Sequence, residues 1–213
     1  MAAPRRGSSV TLAKRPMFSL LKGKTKPSVS EEAEILAMFD IAPFASFSPG
    51  LTSMEIVETL AKYLRTLFSI IESAGGTPRH LNGNAVEAFW RVDPSPRANE
   101  QVGAAVVRAL SAIREFELSG GFRFVPQVGL ACGVTLRANL EIGKRVVPVS
   151  LGADLNFASR LSMMCWSMKK QILFPASLPV VWPEGYSTEK LELITVKGVA
   201  NQIQLMSLIE KSG

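Results

Sequence analysis

The side chains able to do chemistry are few, and their types limit the reactions open to this chain. The sequence has one histidine, His80, so a Ser-His-Asp triad or a metal site of several histidines has almost no material. The two cysteines, Cys132 and Cys165, form neither a disulfide framework nor a zinc pattern, and we expect both to be buried thiols in a reducing compartment. Asp40 ends a run of apolar residues, where a carboxylate can accept a hydrogen bond from a nearby backbone amide.

Charge is divided unevenly along the 213 residues, which have a net charge of +6. Seven of the 24 Lys and Arg residues precede Glu31, where no acidic residue occurs, so residues 31–213 are close to neutral. This disfavours a body that binds nucleic acid through a basic face. Three interpretations of the basic N-terminal arm, residues 1–30, stay open: a free tail, an anchor on RNA or an acidic protein surface, and a mitochondrial presequence.

Apolar periodicity predicts the elements of the body. Thr52 and Glu55 form a capping-box pattern before an amphipathic helix that stops at residues 74–76 (AGG). Asn82-Gly83 predicts a hairpin turn within residues 79–90. Further helices are predicted over 99–117 and 154–168, and strands over 35–41, 122–132, 145–151, 171–174, 189–196 and 202–209.

This order of elements predicts one domain over residues 31–213 in the α+β class. Strand, helix, hairpin, helix and strand make a ferredoxin-like split βαβ core, with one mainly antiparallel sheet and helices on one face. No apolar stretch approaches the length of a membrane span. Residues 163–168 (MMCWSM) indicate helix core that ends at an exposed aromatic, or an adaptable contact surface.

Five short motifs occur in one order along the body. They are residues 39–44 (FDIAPF), 75–86 with Gly-Gly and HLNGNAV, 129–133 (GLACG), 152–160 (GADLNFASR) and 196–198 (VKG). In this order and spacing they resemble the catalytic domain of class III adenylate and guanylate cyclases, over roughly residues 34–209. The resemblance implies the ferredoxin-like fold and cyclisation of a nucleoside triphosphate, in which the ribose 3′-hydroxyl attacks the α-phosphorus and pyrophosphate leaves.

The resemblance also assigns roles to six positions. Of the two carboxylates that hold the metal ions, the first corresponds to Asp40 and the second is replaced by Asn84, whose amide has no formal charge and bridges two cations poorly. The base-recognition positions correspond to His80 and Val149, which match neither the adenine-reading nor the guanine-reading pair. Two transition-state residues are retained: Asn156 would orient the ribose, and Arg160 would bind the α-phosphate. Bracing of the helix by these two is the competing interpretation.

These losses predict a catalytically inactive cyclase homology domain that serves as a structural or interaction subunit, anchored partly by its basic arm. A divergent or heterodimeric cyclase, dependent on Mg²⁺ or Mn²⁺, and a non-catalytic nucleotide sensor are the alternatives. No cofactor is expected unless the cyclase alternative holds. The resemblance implies a homodimer or a heterodimer with another cyclase-like chain, and we expect a cytoplasmic or cytoskeletal setting, or a mitochondrial one if the arm is a presequence.

Overall fold

The computed structural model describes residues 29–42, 51–80, 83–92, 96–118, 122–195 and 202–211. In this part of the chain the helices are α1 (Ser53–Ser73), α2 (Pro96–Glu115) and α3 (Ala153–Ser167). The strands are β1 (Val29–Ala42), β2 (Thr77–His80), β3 (Val86–Arg91), β4 (Glu117–Leu118), β5 (Phe122–Arg123), β6 (Val125–Ile142), β7 (Arg145–Leu151), β8 (Ile172–Pro175), β9 (Tyr186–Ile194) and β10 (Ile203–Glu210). The predicted order of elements is confirmed, with the short hairpin β4–β5 added.

Local sequence sets the limits of α1 as predicted. The Thr52 hydroxyl accepts a hydrogen bond from the Glu55 N–H, while the Glu55 carboxylate accepts one from the Thr52 N–H at 2.8 Å. At the other end Gly75 adopts a positive φ of 72°, a conformation that ends a helix at little steric cost when the residue is glycine. Residues 1–28 and Asn82 lie outside the described residues, whereas Val29 and Ser30 open β1.

One sheet organises the domain. Its strands follow the order β2-β3-β1-β6-β8-β10-β9, with β7 paired to β6. All of these pairs are antiparallel except β6 with β8. This mainly antiparallel arrangement confirms the α+β fold class. The central strand β1 pairs with β6 along its whole length and ends at Asp40–Ala42, next to the start of β3.

The helices cover both faces of the sheet, which differs from the predicted placement on one face. Helices α1 and α2 pack on the face that carries Ile35, Ala37 and Phe39 of β1. Helix α3 packs on the opposite face, against Leu36 and Met38. Because successive residues of a strand point to opposite faces, a strand that is apolar at consecutive positions needs a cover on each side.

Strand β6 is longer than the strand predicted over 122–132. It continues to Ile142, turns at Gly143 (φ 64°) and returns as β7, in a two-stranded ribbon. Unlike a typical solvated loop, this ribbon carries several exposed apolar side chains. They are Val134, Ile142, Val146, Val147 and Leu151. No described helix is long and apolar enough to cross a membrane.

The two ends of the sheet path are strands β2 and β9. Pro78 lies in the four-residue β2 and has no backbone N–H to offer. On β9 the exposed side chains include Thr188, Lys190 and Glu192. Both edge strands are therefore poor partners for a further strand, β2 because it is short and contains proline and β9 because it carries exposed charges.

Candidate functional site

The end of β1 and the β2–β3 turn bring Asp40 and Asn84 together. Phe39 pairs with Val86, the first residue of β3, so the turn that precedes β3 lies beside the next residue of β1. Gly83 supplies the positive φ (60°) that this turn uses. The Asn84 Nδ2 donates a hydrogen bond to Asp40 Oδ1, and the two positions that the resemblance assigned to metal binding are in direct contact.

Two N–H donors engage one of the two carboxylate oxygens of Asp40. Its Oδ1 atom also accepts a hydrogen bond from the Ile41 N–H at 2.7 Å, and Asn84 Nδ2 donates a second bond to the Ile41 carbonyl at 3.2 Å. Burial raises the pKa of Asp40, while the hydrogen bonds from Ile41 and Asn84 act in the opposite direction. The carboxylate is therefore held by two N–H donors within the chain itself.

These residues do not fit a two-metal centre. One carboxylate is present where two are required, and the amide presents its nitrogen, rather than its oxygen, to Asp40. Hard divalent cations bind anionic and neutral oxygens, not N–H groups. Among the described residues no group of three or more His, Cys, Asp and Glu side chains is placed to hold a metal ion.

Helix α3 presents the two predicted transition-state residues to solvent. Asn156 and Arg160 are both exposed and four residues apart, which places them on one stripe of the helix. Met163 and Trp166 continue this stripe and are 70% and 59% exposed. The α3 surface is therefore mixed, polar at its first turns and apolar at its last. Residues 163–168 include the exposed aromatic Trp166 as predicted, but Cys165 is the one buried residue among the six, so the prediction of helix core is wrong for this segment.

Two glycines of β6 let α3 approach the sheet. A Cβ at Gly129 would lie 2.0 Å from the Ala158 carbonyl oxygen, and one at Gly133 would lie 1.8 Å from the Asp154 carboxylate. Both separations are far inside van der Waals contact. The Gly-x-x-x-Gly spacing of residues 129–133 thus has a packing role, since it positions the helix that carries Asn156.

The predicted base-recognition positions lie on different strands. His80 ends β2, and Val149 lies on β7, opposite Ala138 of β6. The Val149 side chain lines an open cleft of about 290 Å³, together with Arg79, the neighbour of His80. Valine can neither donate nor accept a side-chain hydrogen bond to a nucleobase.

The cysteines take no part in this site. Cys165 is buried as predicted, and burial raises the pKa of its thiol to about 12. Cys132 is half-buried, less than predicted, and burial raises its thiol pKa as well. Raised pKa values keep both thiols protonated and unreactive near neutral pH.

Comparison with solved structures identifies the architecture. The catalytic core of a rhodopsin-guanylyl cyclase with converted specificity superposes with a TM-score of 0.69 at 18% identity, covering 86% of this chain and 98% of that one. The adenylyl cyclase CyaB from P. aeruginosa superposes with a TM-score of 0.68 at 21% identity, covering 87% of this chain and 97% of that one. The chain has the fold of the class III cyclase catalytic core. The resemblance inferred from the five motifs is thereby confirmed.

A further structural relative is the dimeric guanylyl cyclase domain of RhoGC from Blastocladiella emersonii, with a TM-score of 0.66 at 18% identity, covering 86% of this chain and 99% of that one. Among curated proteins, the terminal-differentiation-specific adenylate cyclase of Dictyostelium discoideum is 25% identical over 179 residues, or 80% of this chain. The aligned part is only 8% of that much longer cyclase. No family model matches the sequence.

One charged cluster of this domain was missed by the sequence reasoning. It lies on the α3 face and consists of Glu34, Glu87, Arg79 and Arg137 around the ring of Phe89. The available signal was the presence of glutamates inside strands that are otherwise apolar, because charged residues are almost never fully buried without partners.

Proposed function

We propose that this cyclase homology domain is a pseudoenzyme, a structural or interaction subunit that does not turn over nucleotide. The observation that carries the proposal is the contact between Asn84 and Asp40. In this arrangement the second metal ligand has become a hydrogen-bond donor to the first. Cyclisation needs metal ions to activate the 3′-hydroxyl and to neutralise the phosphates, and a centre with an amide in place of the second carboxylate lacks one anionic ligand.

Loss of base recognition supports the same function. Val149 lines the cleft beside Arg79 but offers the base no hydrogen bond. A site that reads a base by hydrogen bonds discriminates strongly, whereas an apolar position gives little discrimination. Nothing at this position then selects ATP over GTP.

Exposed apolar surface supports an interaction role. The β6–β7 ribbon exposes Val134, Val146 and Leu151, and α3 exposes Met163 and Trp166. Exposed apolar residues that recur on adjacent elements are typical of protein–protein contact sites. The proposed partner is a second copy of this chain or another cyclase-like chain. The basic arm is proposed as a further anchor to an acidic surface, RNA or protein.

The test is a cyclisation assay on the purified full chain with ATP or GTP and Mg²⁺ or Mn²⁺. We expect no cyclic nucleotide above the level given by Asp40→Ala. Product that forms in the wild-type chain and disappears in Asp40→Ala would refute the pseudoenzyme proposal. Measuring mass by light scattering in the same preparation, with Val146→Lys as the variant, tests whether the ribbon supports pairing.

A heterodimeric cyclase is the second candidate, and the exposure of Asn156 and Arg160 favours it. These two side chains face outward on α3, where they are free to reach a nucleotide held by another chain. The test mixes this chain with a cyclase chain that has both metal carboxylates and a disabled Arg at the matching α3 position. Activity restored by the wild type and absent with Arg160→Ala would support it, and no restored activity would eliminate it.

A further inference from the structure

A second cluster of polar side chains lies on one face of the sheet, across β1, β2, β3 and β6. The cleft of about 290 Å³ opens there on the α3 face of the sheet, and its lining includes Ser30, Glu32, Arg79, Arg137, Asn139 and Val149. Eight residues separate Glu32 from Asp40, which at about 3.3 Å per residue is a distance of ~26 Å along the strand. The Glu32 end of the cleft is therefore remote from the Asp40–Asn84 contact, whereas Arg79 pairs with Glu87, which lies opposite Met38 and is closer to that contact.

Two guanidinium groups share one aromatic ring at this cleft. The guanidinium carbon of Arg137 lies 4.4 Å from the centre of the Phe89 ring, and that of Arg79 lies 5.8 Å from it. Each guanidinium also lies beside a buried carboxylate. Arg137 Nη2 is 2.6 Å from Glu34 Oε1, and Arg79 Nη1 is 4.0 Å from Glu87 Oε2. Contacts of this kind reduce the freedom that an arginine side chain loses on binding.

The charges leave the cleft side of this cluster positive. Glu32, the acid that lines the cleft, is already paired with Arg91 at 2.9 Å. Glu34 and Glu87 are 2% and 5% exposed and lie in the sheet, away from solvent. Burial raises the pKa of both, against the opposing effect of the nearby arginines.

The cluster also contains buried polar atoms that have no hydrogen-bond partner. Within the described part of the chain, Arg137 Nε and Ser150 Oγ are buried without a hydrogen-bond partner, as are Glu34 Oε2 and Glu87 Oε2 of the same cluster. Arg137 and Ser150 face each other across the β6–β7 register. Buried polar atoms in folded proteins normally have a partner, so an unpaired group calls for an ordered water, an ion or a ligand beside it. Here the missing partner is an oxygen acceptor, because the Arg137 group can only donate.

We propose that this cleft binds a small phosphate dianion, inorganic phosphate or the phosphate group of a monoester, between Arg79 and Arg137. Two guanidinium groups match the charge of a dianion and offer forked donors to its oxygens. A cleft of about 290 Å³ is near the lower end of ligand-site volumes and admits a compact molecule. This site would bind a ligand whether or not the chain has cyclase activity.

The test is calorimetric titration of the full chain with inorganic phosphate and, separately, with glycerol 3-phosphate at low salt. We expect saturable binding that weakens roughly tenfold or more in Arg137→Gln and in Arg79→Gln, because each removes charge-assisted hydrogen bonds. Arg65→Gln is the matched control, since Arg65 is an exposed arginine of α1. Stronger binding of glycerol 3-phosphate than of phosphate would identify a monoester as the ligand.

Two results would overturn the proposal. One is the absence of heat up to about 10 mM of either probe. The other is equal weakening in Arg65→Gln, which would mean attraction by overall charge. If Arg137→Gln fails to fold, Arg79→Gln decides the matter, because its 4.0 Å ion pair is a looser part of the structure. Asp40→Ala should leave phosphate binding unchanged, which separates this site from the function proposed above.

Discussion

The substitution Asn84→Asp would reverse the change that most distinguishes this chain from a metal-dependent cyclase. The amide of Asn84 donates to Asp40 and, at 3.2 Å, to the Ile41 carbonyl. A carboxylate at this position keeps neither bond and places a second negative charge beside Asp40. We therefore expect Asn84→Asp to fold with lower stability than the wild type in the absence of divalent metal.

Two estimates of the loss agree. Like charges about 4 Å apart in an environment of dielectric constant near 20 repel by about 4 kcal/mol. The chain can avoid this by protonating one carboxyl, and raising a pKa from about 4 to about 7 requires roughly 4 kcal/mol. Because Asp40 is only half-buried, solvent screening reduces both figures, and we expect the free energy of unfolding to fall by about 2–3 kcal/mol at neutral pH.

The assay is urea unfolding with and without Mn²⁺, near neutral pH and near pH 4. Mn²⁺ at about 100 times its dissociation constant should restore roughly 2.7 kcal/mol to Asn84→Asp and nothing to the wild type. The loss should also shrink near pH 4, where one carboxyl takes up a proton. Asn84→Ala is the control, since it removes the same hydrogen bonds without adding charge. An equal Mn²⁺ effect in the wild type would refute our account of the Asp40–Asn84 contact.

Three further changes test other parts of the structure. Burial raises the pKa of Glu87, so the stability associated with its bound proton is lost as pH rises through that raised pKa. The free energy of unfolding of Glu87→Gln should therefore exceed that of the wild type by about 1 kcal/mol near pH 8 and equal it near pH 4. A lower value than the wild type near pH 8, measured by urea unfolding, would contradict this. Thr52→Ala removes the capping box of α1 and should lower the unfolding free energy by about 0.5–2 kcal/mol, measured against the exposed neighbour variant Ser53→Ala. Gly129→Ala places a Cβ 2.0 Å from a backbone oxygen of α3 and should lower stability by about 1–3 kcal/mol; a thermal midpoint equal to that of the wild type would show that α3 shifts freely.

Elements specified by neighbouring residues could be predicted from the sequence, and those set by distant contacts could not. The capping box of α1 and the glycine after it are local signals, and they placed that helix correctly. The extension of β6 to Ile142 was missed because its apolar residues are exposed in the ribbon, where no core imposes a pattern. The position of α3 across the sheet was missed for a related reason, since periodicity identifies an apolar stripe but not the face that it covers.

In the candidate site, too, the residues could be predicted from the sequence but their side-chain contacts could not. Motif order identified Asp40 and Asn84 as a pair, and the structure brings them into contact. Sequence alone does not reveal that the amide nitrogen faces the carboxylate, because side-chain orientation depends on the Ile41 carbonyl beside it. The cluster around Arg137 was missed, although Glu34 and Glu87 stand out as charges within apolar strands.

The ends of the sheet have a consequence for assemblies that contain this domain. Strand β2 carries Pro78, and β9 presents alternating charged side chains such as Lys190 and Glu192. Such edges resist the addition of strands from other molecules, which is the route to open-ended stacking. Among the described strands the remaining edge is the free side of β7, so we expect copies of the chain to associate through the faces of the sheet or the β6–β7 ribbon. A contact that uses the same patch on both copies about a two-fold axis would close as a dimer, rather than growing into a filament.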